Sequence, residues 1–235
     1  MRLLKILFVL SFSAIFSGCA TAQIDYSGYQ KILADNVSSA GVVDYSSMIK
    51  NDKNDLDKFV KQLATTDTDQ LSKDQKLAYW INTYNAFTIK LIIDHWPVKS
   101  IQDIANGKPF DDKWIELNGT TYSLNQIENE KIRNQFQDAR IHFAVNCAAK
   151  SCPPLFNQPF TGDHINQQLE QRTKNFINND NYNKLSKKSV TVSKIFDWYK
   201  SDFGDIINFI NKYAKTTINS DAHIRYTSYN WDLNN

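Results

Sequence analysis

Taken as a pattern of apolar and polar positions, the chain divides into helix-spaced and strand-spaced stretches separated by short polar runs. The longest periodic stretch covers residues 73–96. Leu77, Trp80, Ile81, Tyr84, Thr88, Leu91 and Ile92 recur there at helical spacing, which predicts a helix with a buried face. Ser72 and Gln75 stand where a capping box would open it, and Pro97 stands where it must stop. Shorter helices are predicted over residues 29–37, 56–63 and 165–176, and over 203–213 with Ser201 as cap. Residues 42–45 form a brief extended piece, and 65–69 a polar loop.

Strand spacing occurs in smaller units. Residues 114–117 and 120–122 flank Asn118-Gly119, a pair suited to the positive φ angles of a type I′ turn, so a β-hairpin is expected. Ser123 and Gln126 form a second capping box, opening a helix to about residue 134. Residues 140–146 alternate, with Ile141, Phe143 and Val145 on one side and His142, Ala144 and Asn146 on the other. That alternation predicts a strand. A loop stiffened by Pro153-Pro154 follows over 147–159. Residues 189–192 and 224–231 read as extended, and Lys184, Lys187 and Lys188 as a solvated hairpin. This order implies an α+β fold: a single domain in which a long central helix packs on a small, mostly antiparallel sheet containing residues 114–122 and 140–146.

The N-terminus changes the picture. Arg2 and Lys5 precede an apolar run from Ile6 to Phe16 that is too short for a membrane span, which needs about 20 apolar residues. Residues 1–18 are therefore expected to be a signal peptide. Phe16-Ser17-Gly18-Cys19 fits a lipobox, which would make Cys19 a lipidated N-terminus; the alternative is cleavage after Ala22. Residues 19–28 then form a tether and 29–235 the domain. The expected location is the periplasm, with outer-membrane anchoring through lipid on Cys19. Loss of Arg2 and Lys5 leaves 25 basic and 25 acidic side chains. A balanced charge argues against nucleic acid as a partner; the membrane is reached only through the lipid.

Several segments resemble the DUF547 family. Residues 79–86, Tyr-Trp-Ile-Asn-Thr-Tyr-Asn-Ala, are similar to its W-I-N-x-Y-N-A signature. Further pieces follow in the family's order: 100–104, 123–128, 140–144, the block from Asn146-Cys147 to Ser151-Cys152-Pro153-Pro154, Ile195-Phe196-Asp197-Trp198-Tyr199 with Asp202-Phe203, and Tyr229 to Asn234. One position departs, since Asn129 stands where the family often has His. The resemblance implies a bacterial envelope protein and supplies no substrate.

Candidate chemistry concentrates at His142, Cys147 and Cys152, and three readings stay open. In the first, Cys147 and Cys152 form a disulfide, since paired thiols oxidise outside the cytoplasm. The protein is then a stapled module that binds an envelope protein, peptide or polymer. In the second, Cys147 is the nucleophile of a hydrolase or acyltransferase with His142 as base, and N–H groups of the Ala148-Ala149 turn form an oxyanion hole. The third places zinc on His142, Cys147, Cys152 and Glu128, although the spacing is no standard knuckle; no metal or other cofactor is expected. Asn82 and Asn85, three apart on the long helix, either tie loops down or orient a substrate or imidazole. Glu128 with Arg133 and Arg140 is expected to be a structural ion pair. His95 is expected at a helix C-terminus, and His164 and His223 at the surface.

Overall fold

A computed structural model describes residues 24–235. The expected signal peptide, both cleavage points and Cys19 lie outside the described residues.

The order of elements is mixed, as expected for α+β. Helices α1 (Ser27–Asn36), α2 (Tyr45–Asn51) and α3 (Lys53–Thr65) lead into α4 (Lys73–Asp94), the hub of the fold. Both bonds of the predicted capping box form: Ser72 Oγ accepts from the Gln75 N–H, and Gln75 Oε1 accepts from the Ser72 N–H. At the other end the His95 ring reaches the Leu91 carbonyl at 2.9 Å. From Leu77 to Ile93 nearly every α4 side chain is buried, Asn82 and Asn85 included. A helix buried all round belongs in a core rather than on one face of it. The domain wraps α4 on several sides.

The hairpin β1 (Ile115–Leu117) and β2 (Thr120–Tyr122) pairs as expected. It docks on the helix through edge contacts of Tyr122 with Trp80 and of Trp114 with Phe87. A capped turn, α5 (Leu124–Gln126), widens into a π-helix over Ile127–Arg133 and tightens again in α6 (Asn134–Phe136). After α7 (Ile165–Ile177), β3 (Lys184–Leu185) pairs antiparallel with β4 (Ser189–Val192), and β4 pairs parallel with β5 (His223–Tyr226). Between them lie three short helices, α8 (Ile195–Trp198), α9 (Lys200–Phe203) and α10 (Ile206–Asn211). The single helix expected over 203–213 is thus broken: Gly204 takes φ +63° and Asp205, not Ser201, caps the last piece.

A second correction bears on the site. Residues Ala139–Phe143 form a 3-10 turn, not a strand, and so contribute nothing to a sheet. Three residues per turn send successive side chains in three directions. Ile141 enters the core around α4, and Phe143 enters a second apolar cluster with Phe176, Phe196 and Phe203. His142, between them, sits at the seam. No helix among the described residues is long and apolar enough to cross a membrane.

Candidate functional site

A cavity of about 250 Å³ opens at that seam. The α4 side contributes Tyr84 and Val145, and the π-helical run contributes Glu128. The loop after the 3-10 turn supplies Cys147, Cys152 and Pro153. The second cluster supplies Ile195 and Tyr199, the end of α8 supplies Trp198, and the C-terminal segment Tyr229 and Trp231. His142 lies in the wall.

The expected disulfide is not formed: Cys147 and Cys152 are free thiols. The local backbone explains the arrangement. Ala148 takes φ +61°, a left-handed conformation unusual for a residue with a Cβ. It is held there because Asn146 Oδ1 accepts from the Ala148 N–H at 2.9 Å and the Ala148 carbonyl accepts from the Asn234 N–H at 3.1 Å. The turn brings the Cys147 N–H onto Cys152 Sγ at 2.9 Å and the Cys147 sulfur to within 3.1 Å of the Tyr229 hydroxyl.

These contacts make the two sulfurs different. Burial opposes ionisation of Cys147, but hydrogen bonds from Cys152, Tyr229 and the Ala149 N–H outweigh it and draw its pKa below the ordinary thiol value. Cys152, more deeply placed, is pushed well above that value by burial first and then by Cys147. Burial, and then the neighbouring sulfurs, keep the Tyr229 phenol protonated. It therefore donates to a Cys147 thiolate.

His142 is almost wholly buried and is fixed by two contacts. Its ring stacks on Tyr199 with centroids 3.9 Å apart. Its Nε2 lies 2.8 Å from Asp202 Oδ2. An ionised carboxylate can only accept, so Nε2 carries the hydrogen and a neutral ring leaves a lone pair on Nδ1. That Nδ1 is buried and has no hydrogen-bond partner. Asp202 is held in turn by Arg133, through Nε at 2.7 Å and Nη2 at 2.8 Å. The His142 bond and then the Arg133 bonds pull its carboxyl far below the usual range.

The ion pairs differ from those expected. Arg133 pairs with Asp202 and Arg140 with Asp138, and neither makes a salt bridge with Glu128. Glu128 is 6% exposed and faces the cavity. Asn129, at the position of the family's frequent His, accepts from Arg133 and donates to the Asn125 carbonyl. It braces the π-helical run and does not line the cavity.

Asn82 and Asn85 are structural ties. Asn82 makes both amide bonds to the backbone of Phe160, at 2.7 and 2.9 Å. Asn85 donates to the Ala144 carbonyl at 3.0 Å and accepts from the Asn146 N–H at 2.8 Å. Neither amide is left for a substrate or an imidazole, though Asn85 fixes the residue next to Cys147. The expected oxyanion hole is also altered, because the Ala148 N–H is spent on Asn146 and the Ala149 N–H faces the sulfur. Among the described residues no three His, Cys, Asp or Glu side chains are grouped to hold a metal ion. The zinc reading finds no ligand set there.

Asp202, Tyr199, Trp198, Tyr229 and Trp231 were not singled out as site residues by spacing or composition. All five lie in segments carrying the family resemblance, distant in sequence from Cys147, and that was the available clue.

The family described as "Protein of unknown function, DUF547" matches residues 68–177, a span that holds Tyr84, Glu128, His142, Cys147 and Cys152. Asp202 and the aromatic residues of the C-terminal segment fall beyond it. No curated protein and no solved structure matches the chain.

Proposed function

We propose, from the site itself, that the protein is a cysteine-dependent acyl hydrolase or acyltransferase; the DUF547 family that matches residues 68–177 brings no activity with it. One observation carries this reading. A single cavity is walled by a free, thiolate-stabilised Cys147 and by a histidine whose Nε2 is committed to Asp202 and whose Nδ1 is unpaired. That is the division of labour a nucleophile, a base and an orienting acid require.

In the reaction proposed, Cys147 Sγ bonds to the carbonyl carbon of an ester, thioester or amide. The thiol proton passes to His142 Nδ1 across a water or a substrate atom held between the two groups. The Tyr84 phenol, kept protonated by burial and then by Glu128, offers an O–H to the carbonyl oxygen as it gains charge. The bond to the leaving group then breaks, and that group takes the proton from His142. Water, or an acceptor hydroxyl or amine, attacks the thioester, gives its proton to His142 and releases Cys147, to which the proton returns. The lipobox and residues 1–18 support placing this reaction in the envelope.

Iodoacetamide labelling read by mass spectrometry across pH tests the thiol. Cys147 is expected to alkylate with a midpoint below about 8.5, the ordinary thiol value, while Cys152 stays inert until the protein unfolds. A panel of p-nitrophenyl acyl esters tests the chemistry. Cys147→Ser is expected to abolish turnover and His142→Ala to reduce it by about 100-fold or more. Equal labelling of both sulfurs, or full turnover by Cys147→Ser, removes the enzyme reading.

A further inference from the structure

Glu128 touches no reacting atom in the acyl-transfer scheme, where its charge serves only to help keep Tyr84 protonated. It sits on the π-helical run, an interruption of the kind that often re-aims a side chain at a functional site. Its carboxylate is buried, yet no Lys, Arg or His forms a salt bridge with it among the described residues. Arg133, the cation that feels it, is committed to Asp202 and to Asn129. A buried carboxylate that no cation contacts directly is costly, and a ligand cation entering the cavity would complete it.

The opposite wall fits the missing half. Trp198, Tyr229 and Trp231 form one aromatic cluster, with Trp198–Tyr229 and Tyr229–Trp231 ring centroids both 4.7 Å apart. Trp198 is 47% exposed, so this cluster borders the mouth. Tyr84 and Tyr199 lie nearer the carboxylate; burial and then its charge oppose ionisation of both, and the Tyr199 hydroxyl hydrogen-bonds to it. Electron-rich ring faces around one carboxylate attract a cation and give a neutral chain apolar contact.

Building on the acyl-transfer reading, we propose that the cavity selects acyl substrates carrying a primary ammonium or guanidinium, which pairs with Glu128 inside the aromatic wall. The same charge that recognises the cation also raises the barrier to ionising Cys147. A bound cation cancels that opposition, so the preferred substrate also favours the thiolate that attacks it.

Direct binding to the non-reacting Cys147→Ala protein tests this without calling on catalysis. The probes are N-acetyl-lysine amide, N-acetyl-arginine amide and the neutral N-acetyl-norleucine amide, followed by Trp fluorescence and calorimetry. Either or both cationic probes are expected to bind at least about tenfold tighter than the norleucine probe, about 1.4 kcal/mol. The comparison of lysine with arginine identifies which cation. Glu128→Gln in the same background should erase the preference. Trp198→Ala, at a position 47% exposed, should weaken the cationic probes more than the neutral one. Equal affinity for charged and neutral probes overturns the proposal, as does a preference that survives Glu128→Gln or an equal loss for all probes in Trp198→Ala. Failure of the thiol chemistry would register separately, in the alkylation profile of the unmodified protein.

Discussion

At the scale of single residues, the two asparagines of α4 separate support from chemistry. Asn is a poor helix former, so two of them three residues apart in a buried helix demanded a reason. The residue type supplied half of it: a buried amide has donor and acceptor groups to satisfy. Which loops it satisfies depends on chain segments about 60 and 80 residues away, and no local pattern carries that. The structure gives the two side chains different charges of work, since Asn82 holds Phe160 and Asn85 holds Ala144 and Asn146. Replacing either by Ala leaves two buried backbone groups unpaired, at about 1–3 kcal/mol each. Urea unfolding should therefore show comparable losses for Asn82→Ala and Asn85→Ala. Cys147 alkylation should separate them: Asn85→Ala loosens the turn beside the sulfur and raises the labelling midpoint, whereas Asn82→Ala leaves it in place. Identical midpoints would mean that Asn85 does not position Cys147.

At the scale of elements, the 3-10 turn Ala139–Phe143 is where sequence reading and structure part. Buried residues in a row at 141, 142 and 143 are compatible with a strand lying between two cores, and alternation over so few positions cannot exclude a turn. What decides is that two separate apolar clusters flank the segment, a property of the assembled molecule. The helices at 195–211 teach the same lesson. Their apolar content was visible, but the breaks at Tyr199 and Gly204 that set Asp202 against His142 depend on tertiary contacts. Asp202 joins α9 to both the 3-10 turn and the π-helical run, through His142 and Arg133. Its folded pKa lies below the value of about 3.9 expected in the unfolded chain. The network therefore contributes its full stability above that value and loses it as pH falls from there through the folded pKa. Asp202→Asn should lower unfolding free energy at pH 7 by about 1.5–3 kcal/mol, as for hydrogen bonds to charged groups. It should also flatten the loss of stability below pH of about 4. A variant with the same acid limb as the parent would show that Asp202 does not link these elements.

At the scale of the whole molecule, the cavity exists because the end of the chain returns to its middle. The α+β class, the hub helix, the hairpin and both capping boxes follow from periodicity and cap chemistry, which act over a few residues. The closing segment could be read only as extended. Its destinations lie about 80 and 130 residues back: Asp232 accepts from the Lys150 N–H at 2.8 Å, the Asn234 N–H donates to Ala148, and the Leu233 N–H donates to Lys99 at 2.9 Å. The Val43 N–H donates to the Asn234 carbonyl at 2.9 Å, and the Tyr45 hydroxyl donates to its side chain at 2.8 Å. This strap therefore ties three distant stretches together and carries Tyr229 and Trp231 into the cavity wall. Its two jobs can be separated. Removing residues 228–235 takes away at least four backbone hydrogen bonds and buried Leu233, and should lower Tm by roughly 10 °C. Tyr229→Phe keeps the strap and deletes only the hydroxyl that donates to Cys147 Sγ. It should leave Tm within about 2 °C of the parent while moving the Cys147 alkylation midpoint upward, because the thiolate loses a donor. A large fall in Tm with an unchanged midpoint in Tyr229→Phe would mean that the phenol serves packing alone, and that the thiolate is stabilised from within its own turn.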